Sequence, residues 1–116
     1  MSLMLIPAEA LNTVTPEEGA PAPDRLIAGD PRFLTWDFEA QPGDLYAGIW
    51  QSTPGKWCIE YSEWEYFRVL SGISIVTGED GQSRRFGPGD SGILRPGFKG
   101  TWEVIETTRK EYVIRL

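Results

Sequence analysis

The 116-residue chain is 41% hydrophobic and 24% charged, which is long enough for one hydrophobic core and too short for two. Acidic residues outnumber basic ones by 17 to 11, and the net charge of −6 is opposite in sign to that of a protein that binds nucleic-acid phosphates. The chain has no histidine, which excludes imidazole as a base or metal ligand, and its one cysteine excludes an intrachain disulfide.

The first 31 residues differ in composition from the rest. Five prolines lie between positions 7 and 31, and each removes a backbone donor and disfavours helix at the preceding residue, so we expect an extended arm over 1–31. Two alternatives are open for it: a disordered tail, or an arm laid across the body or a neighbouring subunit. The apolar run at 1–7 is too short for a signal-peptide core or a bilayer span, and we predict a cytoplasmic protein without membrane contact.

From residue 32 to residue 116 the pattern is that of short β-strands separated by turns. Apolar and polar residues alternate, and Gly, Pro and Asp mark turns roughly 8–12 residues apart. The predicted strands cover residues 33–38, 45–51, 57–61, 65–70, 73–77, 83–86, 92–94, 101–106 and 110–116. This spacing predicts an all-β sandwich or barrel, and no stretch shows sustained helical periodicity.

Two stretches resemble the paired motifs of the cupin superfamily, whose fold is a double-stranded β-helix, a jelly-roll-like barrel. In that family, a His-x-His pair precedes a glutamate, and a glycine follows that glutamate after six residues. Glu65 fits the glutamate position, with a glycine at the right distance. The two histidine positions fall on Cys58 and Glu60, which share the expected parity, or one residue later on Ile59 and Tyr61.

The second cupin motif is matched by a Pro-Gly pair at 96–97, and its histidine position falls on Gly100. We expect the missing side chain there to open space beside Glu65. Further motifs, in order, resemble the small single-domain (RmlC-like) cupins grouped with ureidoglycine aminohydrolase and ethanolamine-utilisation cupins: Gly48-Ile49-Trp50, Pro54-Gly55-Lys56-Trp57, Val69-Leu70-Ser71-Gly72 and Gly97-Phe98-Lys99-Gly100-Thr101-Trp102. The resemblance implies a cupin barrel over 32–116, a homodimer, and a role in amine or ureide nitrogen metabolism.

In a closed barrel, alternate residues of each strand point into the lumen. Parity with Glu65 therefore predicts which side chains line a site there. We expect Glu65 and Glu60 to be the candidate catalytic carboxylates. The predicted ligand-binding residues are Glu65, Trp102, Phe67, Cys58, Lys110 and Tyr112. A largely apolar lining with few polar anchors is typical of a small-molecule pocket.

A carboxylate in such a lumen needs a compensating partner, because burial disfavours its charged form. Three alternatives are open for Glu65: a structural ion pair with Lys110 or Arg68, an acid or base role, or a metal site shared with Glu60 and Cys58. We predict no metal cofactor, since a divalent ion usually needs more ligands than these, and histidine is absent.

The leading hypothesis is a cupin that binds a compact polar metabolite, anchored by Glu65 without a histidine-bound metal. An alternative is an aminohydrolase or isomerase that uses Glu65 or Glu60 as acid or base. A third is a structural or regulatory cupin whose barrel is filled by its own side chains. These hypotheses differ in whether the lumen beside Glu65 is open.

Overall fold

The computed structural model describes residues 2–116, and its regular structure is almost entirely β. A single turn of 3₁₀ helix at Ala10–Asn12 precedes the strands. The strands are β1 Glu17–Gly19, β2 Leu26–Gly29, β3 Phe33–Gln41, β4 Leu45–Ser52, β5 Gly55–Glu60, β6 Trp64–Gly78, β7 Ser83–Phe86, β8 Ser91–Leu94 and β9 Lys99–Arg115. Within residues 2–116, no helix has the length and apolar character needed to cross a membrane.

Two long strands organise the barrel. β6 and β9 pair antiparallel over nearly their whole length. The first half of β9 also pairs with β5, and the second half pairs with β4. On its other side, β6 pairs with β8 through its first half and with β7 through its second half. The sheet therefore folds back on itself as a double-stranded β-helix, and the predicted all-β, jelly-roll-like fold is confirmed.

The sequence predicted each long strand as two shorter ones, and that division is wrong. The break expected in β6 at Gly72 is a bend within a continuous strand. Gly72 has a φ of +86°, and a Cβ added there would lie 2.1 Å from the carbonyl oxygen of Thr107 on β9. Only glycine accepts both the backbone conformation and the close approach. The register shifts of β6 against β9 lie around this bend.

The N-terminal segment runs along the barrel of its own chain. β1 pairs with β3, and β2 pairs with β5. The Trp36 indole N–H donates to the carbonyl oxygen of Val14 at 3.1 Å, and Ala10 is buried. The alternatives for this segment were a disordered tail and an arm laid across the body. Residues 10–29 lie across the barrel body, as the second alternative predicts. Position 1 of the predicted arm lies outside the described residues, and the domain division at residue 31 stays a prediction.

One part of the lumen is filled by aromatic side chains. Trp102 lies between Trp50 and Phe67, with ring centroids 5.8 and 5.2 Å away. Trp57 packs against Trp50 with centroids 6.1 Å apart. The buried core cluster comprises Trp57, Phe67, Val69, Val76, Leu94, Trp102, Val104 and Tyr112. This packing occupies the middle of the barrel, so an internal site must lie beside it.

The expectation that Gly100 opens space beside Glu65 is wrong. Gly100 lies where β9 is flanked by both β5 and β6, and an added Cβ would come within 1.9 Å of the Thr77 carbonyl oxygen. The glycine is therefore required by the approach of two backbones.

We expect Gly100→Ala to lower the free energy of unfolding by about 1–3 kcal/mol, because a backbone atom cannot move aside as a side chain can. Urea denaturation measures this loss. Gly19→Ala is the control, since an added Cβ there meets its nearest atom at 3.8 Å, and we expect a change within about 0.5 kcal/mol. Equal effects of the two substitutions would contradict the steric explanation.

Candidate functional site

A cavity of about 310 Å³ opens beside the aromatic core. Its walls come from inward-facing positions of β3, β4, β6 and β9, together with the loop between β5 and β6. The lining residues are Thr35, Asp37, Tyr46, Trp50, Tyr61, Glu65, Lys110, Tyr112 and Ile114. This volume is at the lower end of the range for small-molecule pockets. The site therefore has room for a compact molecule and not for a large cofactor.

Glu65 and Lys110 form a buried ion pair in the wall of this cavity. The Lys110 Nζ lies 2.8 Å from Glu65 Oε2, and the two residues are 6% and 1% exposed. Removing either charge would leave the other desolvated without a partner, which is strongly unfavourable. Of the alternatives open for Glu65, the structure shows the pair with Lys110. Arg68, the other cation considered, is exposed.

Tyr61 holds the second oxygen of the same carboxylate. Its hydroxyl donates to Glu65 Oε1 at 2.5 Å. Burial raises the pKa of Tyr61 well above its ordinary value, and the negative charge of Glu65 and this hydrogen bond raise it further. Tyr61 therefore stays a protonated donor at neutral pH. Both oxygens of Glu65 are engaged within the protein.

The Lys110 ammonium also lies among three aromatic rings. Its Nζ is 4.3 Å from the ring centroid of Trp102, 4.8 Å from that of Trp50 and 5.0 Å from that of Phe67. Ring faces attract a cation at such distances, the more so where water is excluded. The rings and Glu65 together stabilise a charged lysine inside the barrel. Phe67 and Trp102 do not line the cavity themselves but lie behind it, in contact with Lys110.

At the outer side of the cavity, the Tyr112 hydroxyl donates to Asp37 Oδ1. The two residues lie on β9 and β3, on either side of Gly48 in β4. A Cβ at Gly48 would be 3.0 Å from the Tyr112 oxygen and 1.9 Å from the Trp36 carbonyl oxygen. Glycine at this position thus permits the contact. Burial, and then the bond to Asp37, raise the pKa of Tyr112 well above its ordinary value.

A separate polar network fixes the deepest aromatic side chain. The Trp102 indole N–H donates to Ser74 Oγ at 3.1 Å. Ser74 Oγ and Thr108 Oγ1 are 2.7 Å apart, and Thr108 Oγ1 donates to the Glu106 carbonyl oxygen. All of these side-chain atoms are therefore satisfied, and Trp102 is held in one orientation behind the cavity.

The predicted inward positions of Cys58 and Glu60 are wrong. Both are exposed, and Glu60 faces Lys99 across the outer surface at 3.6 Å. Trp57 is buried and Tyr61 lines the cavity, so the odd-numbered residues of this segment face inward. Neither Cys58 nor Glu60 can therefore act on a molecule in the lumen, and the one-residue-later register was correct for Tyr61.

The alternation in β5 itself contained the signal that was missed. Trp57, Ile59 and Tyr61 occupy the odd positions, while the even positions 56, 58 and 60 carry lysine, cysteine and glutamate. A period of two with apolar odd positions indicates which face is buried. The spacing of the family's motif was misleading, because it put the histidine positions on even-numbered residues, whereas Tyr61 and Glu65 on either side of the bend at 62–63 share odd parity. The predicted inward orientation of Glu65, Phe67, Trp102, Lys110 and Tyr112 is confirmed; their roles stay predictions.

Asp37, Trp50, Thr35 and Tyr46 also line the cavity but were not among the predicted site residues. The sequence offers no local sign for Asp37, because the neighbouring Trp36 is the more apolar residue and nevertheless faces away from the lumen. The Trp36 side chain lies on the outer face of β3. There it is shielded from solvent by the N-terminal segment and by Arg109, whose guanidinium lies 5.5 Å from the Trp36 ring centroid.

The polar groups of this site do not fit a divalent metal. Among residues 2–116, no three Asp, Glu or Cys side chains come together in an arrangement able to hold an ion. Facing Glu65 are an ammonium and a phenol hydroxyl, both of which donate to the carboxylate. A divalent cation there would meet the positive charge of Lys110 and would find few free oxygen ligands.

The sheet folded back on itself, the bent β6–β9 pair and the lumen site define a small cupin. Residues 39–112 match the family model described as the EutQ-like cupin domain. The chain belongs to the EutQ-like cupin family.

Solved structures share this fold. A DUF861-family protein of unknown function from Pseudomonas syringae pv. tomato has a TM-score of 0.77 at 25% identity over 86% of this chain, which spans 43% of that longer chain. EutQ from Clostridium difficile has a TM-score of 0.67 at 20% identity, covering 90% of this chain and 82% of its own. A putative ethanolamine utilization protein Q from Salmonella typhimurium has a TM-score of 0.63 at 20% identity, covering 75% and 70%. Curated proteins gave no match.

Proposed function

We propose that this cupin binds a compact polar metabolite in the cavity, with the Glu65–Lys110 pair and Tyr61 as its polar anchor. The observation that carries the proposal is a buried, fully partnered ion pair in the wall of an open 310 Å³ cavity. Buried charges are costly to retain for stability alone, since an apolar pair often serves as well. A preorganised polar group beside apolar walls is what a small-molecule site requires.

Binding is favoured over acid–base catalysis by the partners of Glu65. A general base needs an oxygen able to accept a proton from the substrate. Glu65 Oε1 already accepts from Tyr61, and Oε2 accepts from Lys110. Both carboxylate oxygens are thus committed to donors within the protein. The open cavity also favours binding over the alternative of a barrel filled by its own side chains.

A link to amine or ureide metabolism is part of the proposal. It is supported by the sequence resemblance to the ureidoglycine aminohydrolase and ethanolamine-utilisation cupins, and by the neighbour described as a putative ethanolamine utilization protein. The homodimer and the cytoplasmic location remain predictions from the sequence. Size-exclusion chromatography with light scattering tests the former.

We expect at least one compound from a panel of small amines, ureides and carboxylates to shift amide NMR signals of cavity residues. Thr35→Phe places a larger side chain in the cavity and should weaken that binding by about tenfold or more, a loss of about 1.4 kcal/mol. Thr107→Phe is the matched control, because Thr107 is exposed and lies outside the cavity. No binding at millimolar concentrations, or equal weakening by both variants, would contradict the proposal.

A further inference from the structure

The charges around the cavity do not balance. Glu65 and Lys110 neutralise each other at 2.8 Å. Asp37 also lines the cavity, yet no cation among residues 2–116 forms an ion pair with it. Its only side-chain hydrogen bond within that range is the one from the neutral Tyr112 hydroxyl. The lining therefore carries one uncompensated negative charge, at its outer side.

We propose that the cavity selects small monocations, with the positive group at Asp37 and a neutral hydrogen-bonding group at the Lys110 end. This inference rests on the proposed binding function and names the class of ligand. A cation at Asp37 restores neutrality, and a charge-assisted hydrogen bond to a carboxylate is stronger than a neutral one. The Tyr112 hydroxyl keeps that carboxylate oriented towards the cavity.

The inner end favours a neutral group for an electrostatic reason. Lys110 has three N–H donors and gives one to Glu65. A carbonyl or hydroxyl oxygen can accept from another of them without a charge of its own. A carboxylate would gain a stronger hydrogen bond from the ammonium, but it would lie beside the negative Glu65 and add a second uncompensated negative charge to a lining that already carries Asp37. Anions and zwitterions are therefore selected against relative to a cation with a neutral polar end.

The strand register sets the length of the ligand. Asp37 on β3 and Lys110 on β9 are separated by β4. Asp37 pairs with Gly48 and Lys110 pairs with Trp50, two residues further along β4, so the two side chains belong to adjacent inward-facing rows of residues across the strands. With strands spaced about 4.8 Å and rows about 6.8 Å apart, their Cα atoms are about 12 Å apart. Side chains extend into this gap from both ends. A ligand that bridges them must therefore be short, and the cavity of about 310 Å³ has room for it.

A matched set of probes isolates the charge. β-Alaninamide is a cation with a neutral amide, β-alanine is the zwitterion, propanamide is the uncharged analogue, and succinamate is the anion. We expect NMR titration at pH 7 and low salt to give β-alaninamide a dissociation constant about fivefold below that of propanamide, a ratio of the size that one partly exposed charge pair supplies. β-Alanine should bind more weakly than β-alaninamide, and succinamate most weakly.

Asp37→Asn should abolish the preference for the cation, so that β-alaninamide and propanamide bind alike, while the amide oxygen still accepts from Tyr112 and keeps the local structure. Glu39→Gln is the control: it removes the same charge from the same strand, at a residue outside the cavity. If both variants lose the preference, the preference comes from the overall negative charge of the protein and not from Asp37, and the inference is overturned. Propanamide binding as tightly as β-alaninamide would overturn it too, while the binding function would stand. Binding of none of the four, together with no hit in the wider panel, would overturn both.

Discussion

Lys110→Met is expected to lower the free energy of unfolding by about 3–5 kcal/mol at pH 7. Methionine keeps most of the apolar stem but removes the charge, and it leaves the Glu65 carboxylate buried with a single neutral donor, Tyr61. The three aromatic rings around the ammonium lose their cation as well. Urea denaturation of the wild type and the variant measures the difference.

Two further variants test whether the loss of stability comes from breaking a buried ion pair or from replacing any lysine. Lys99→Met breaks an exposed pair with Glu60, whose side chains are 50% and 56% exposed, and should change stability by less than about 1 kcal/mol. The double variant Lys110→Met with Glu65→Gln removes both buried charges and keeps an acceptor for the Tyr61 hydroxyl, so it should regain most of the loss, because no desolvated charge is left without a partner. A double variant no more stable than Lys110→Met alone would refute this account of the site.

The free energy of unfolding is expected to fall more steeply at alkaline pH than it would if all tyrosines had their ordinary pKa. Tyr61 and Tyr112 both have a folded-state pKa raised above the value of 10.0 that an unperturbed tyrosine has. Below pH 10 both are protonated in either state, and their contribution is fully present. Above it, only the unfolded chain releases these protons, so unfolding becomes more favourable as the pH rises. The loss is about 1.4 kcal/mol per tyrosine for each pH unit, or about 2.7 kcal/mol for the two.

Urea denaturation at intervals between pH 8 and pH 11 gives this slope. Tyr61→Phe and Tyr112→Phe should each remove about half of it, and the double variant shows the background from all other groups. If the double variant loses stability between pH 10 and pH 11 as fast as the wild type, the two hydroxyls are not the groups responsible.

The strand content and the barrel were predictable because local alternation and turn residues act over short distances. The inward orientation of Glu65, Phe67 and Trp102 also followed, since parity is preserved along each regular strand. Prediction failed where the spacing of the family's motif replaced the alternation of this chain. That spacing placed Cys58 and Glu60 in the lumen, although Trp57, Tyr61 and Glu65 share odd parity and face inward. Gly72, predicted as a strand end, is a bend in the continuous strand β6.

The sequence by itself determined the β-barrel class, the absence of imidazole chemistry and a carboxylate facing the lumen, because composition and periodicity are local properties. Only the tertiary structure decided that Lys110 is the partner of Glu65, 45 residues away, and that Tyr112 reaches Asp37 across 75 residues. Both contacts depend on the register in which distant strands pair. That register is fixed by backbone bends and by close approaches such as the one at Gly48, which no local pattern encodes.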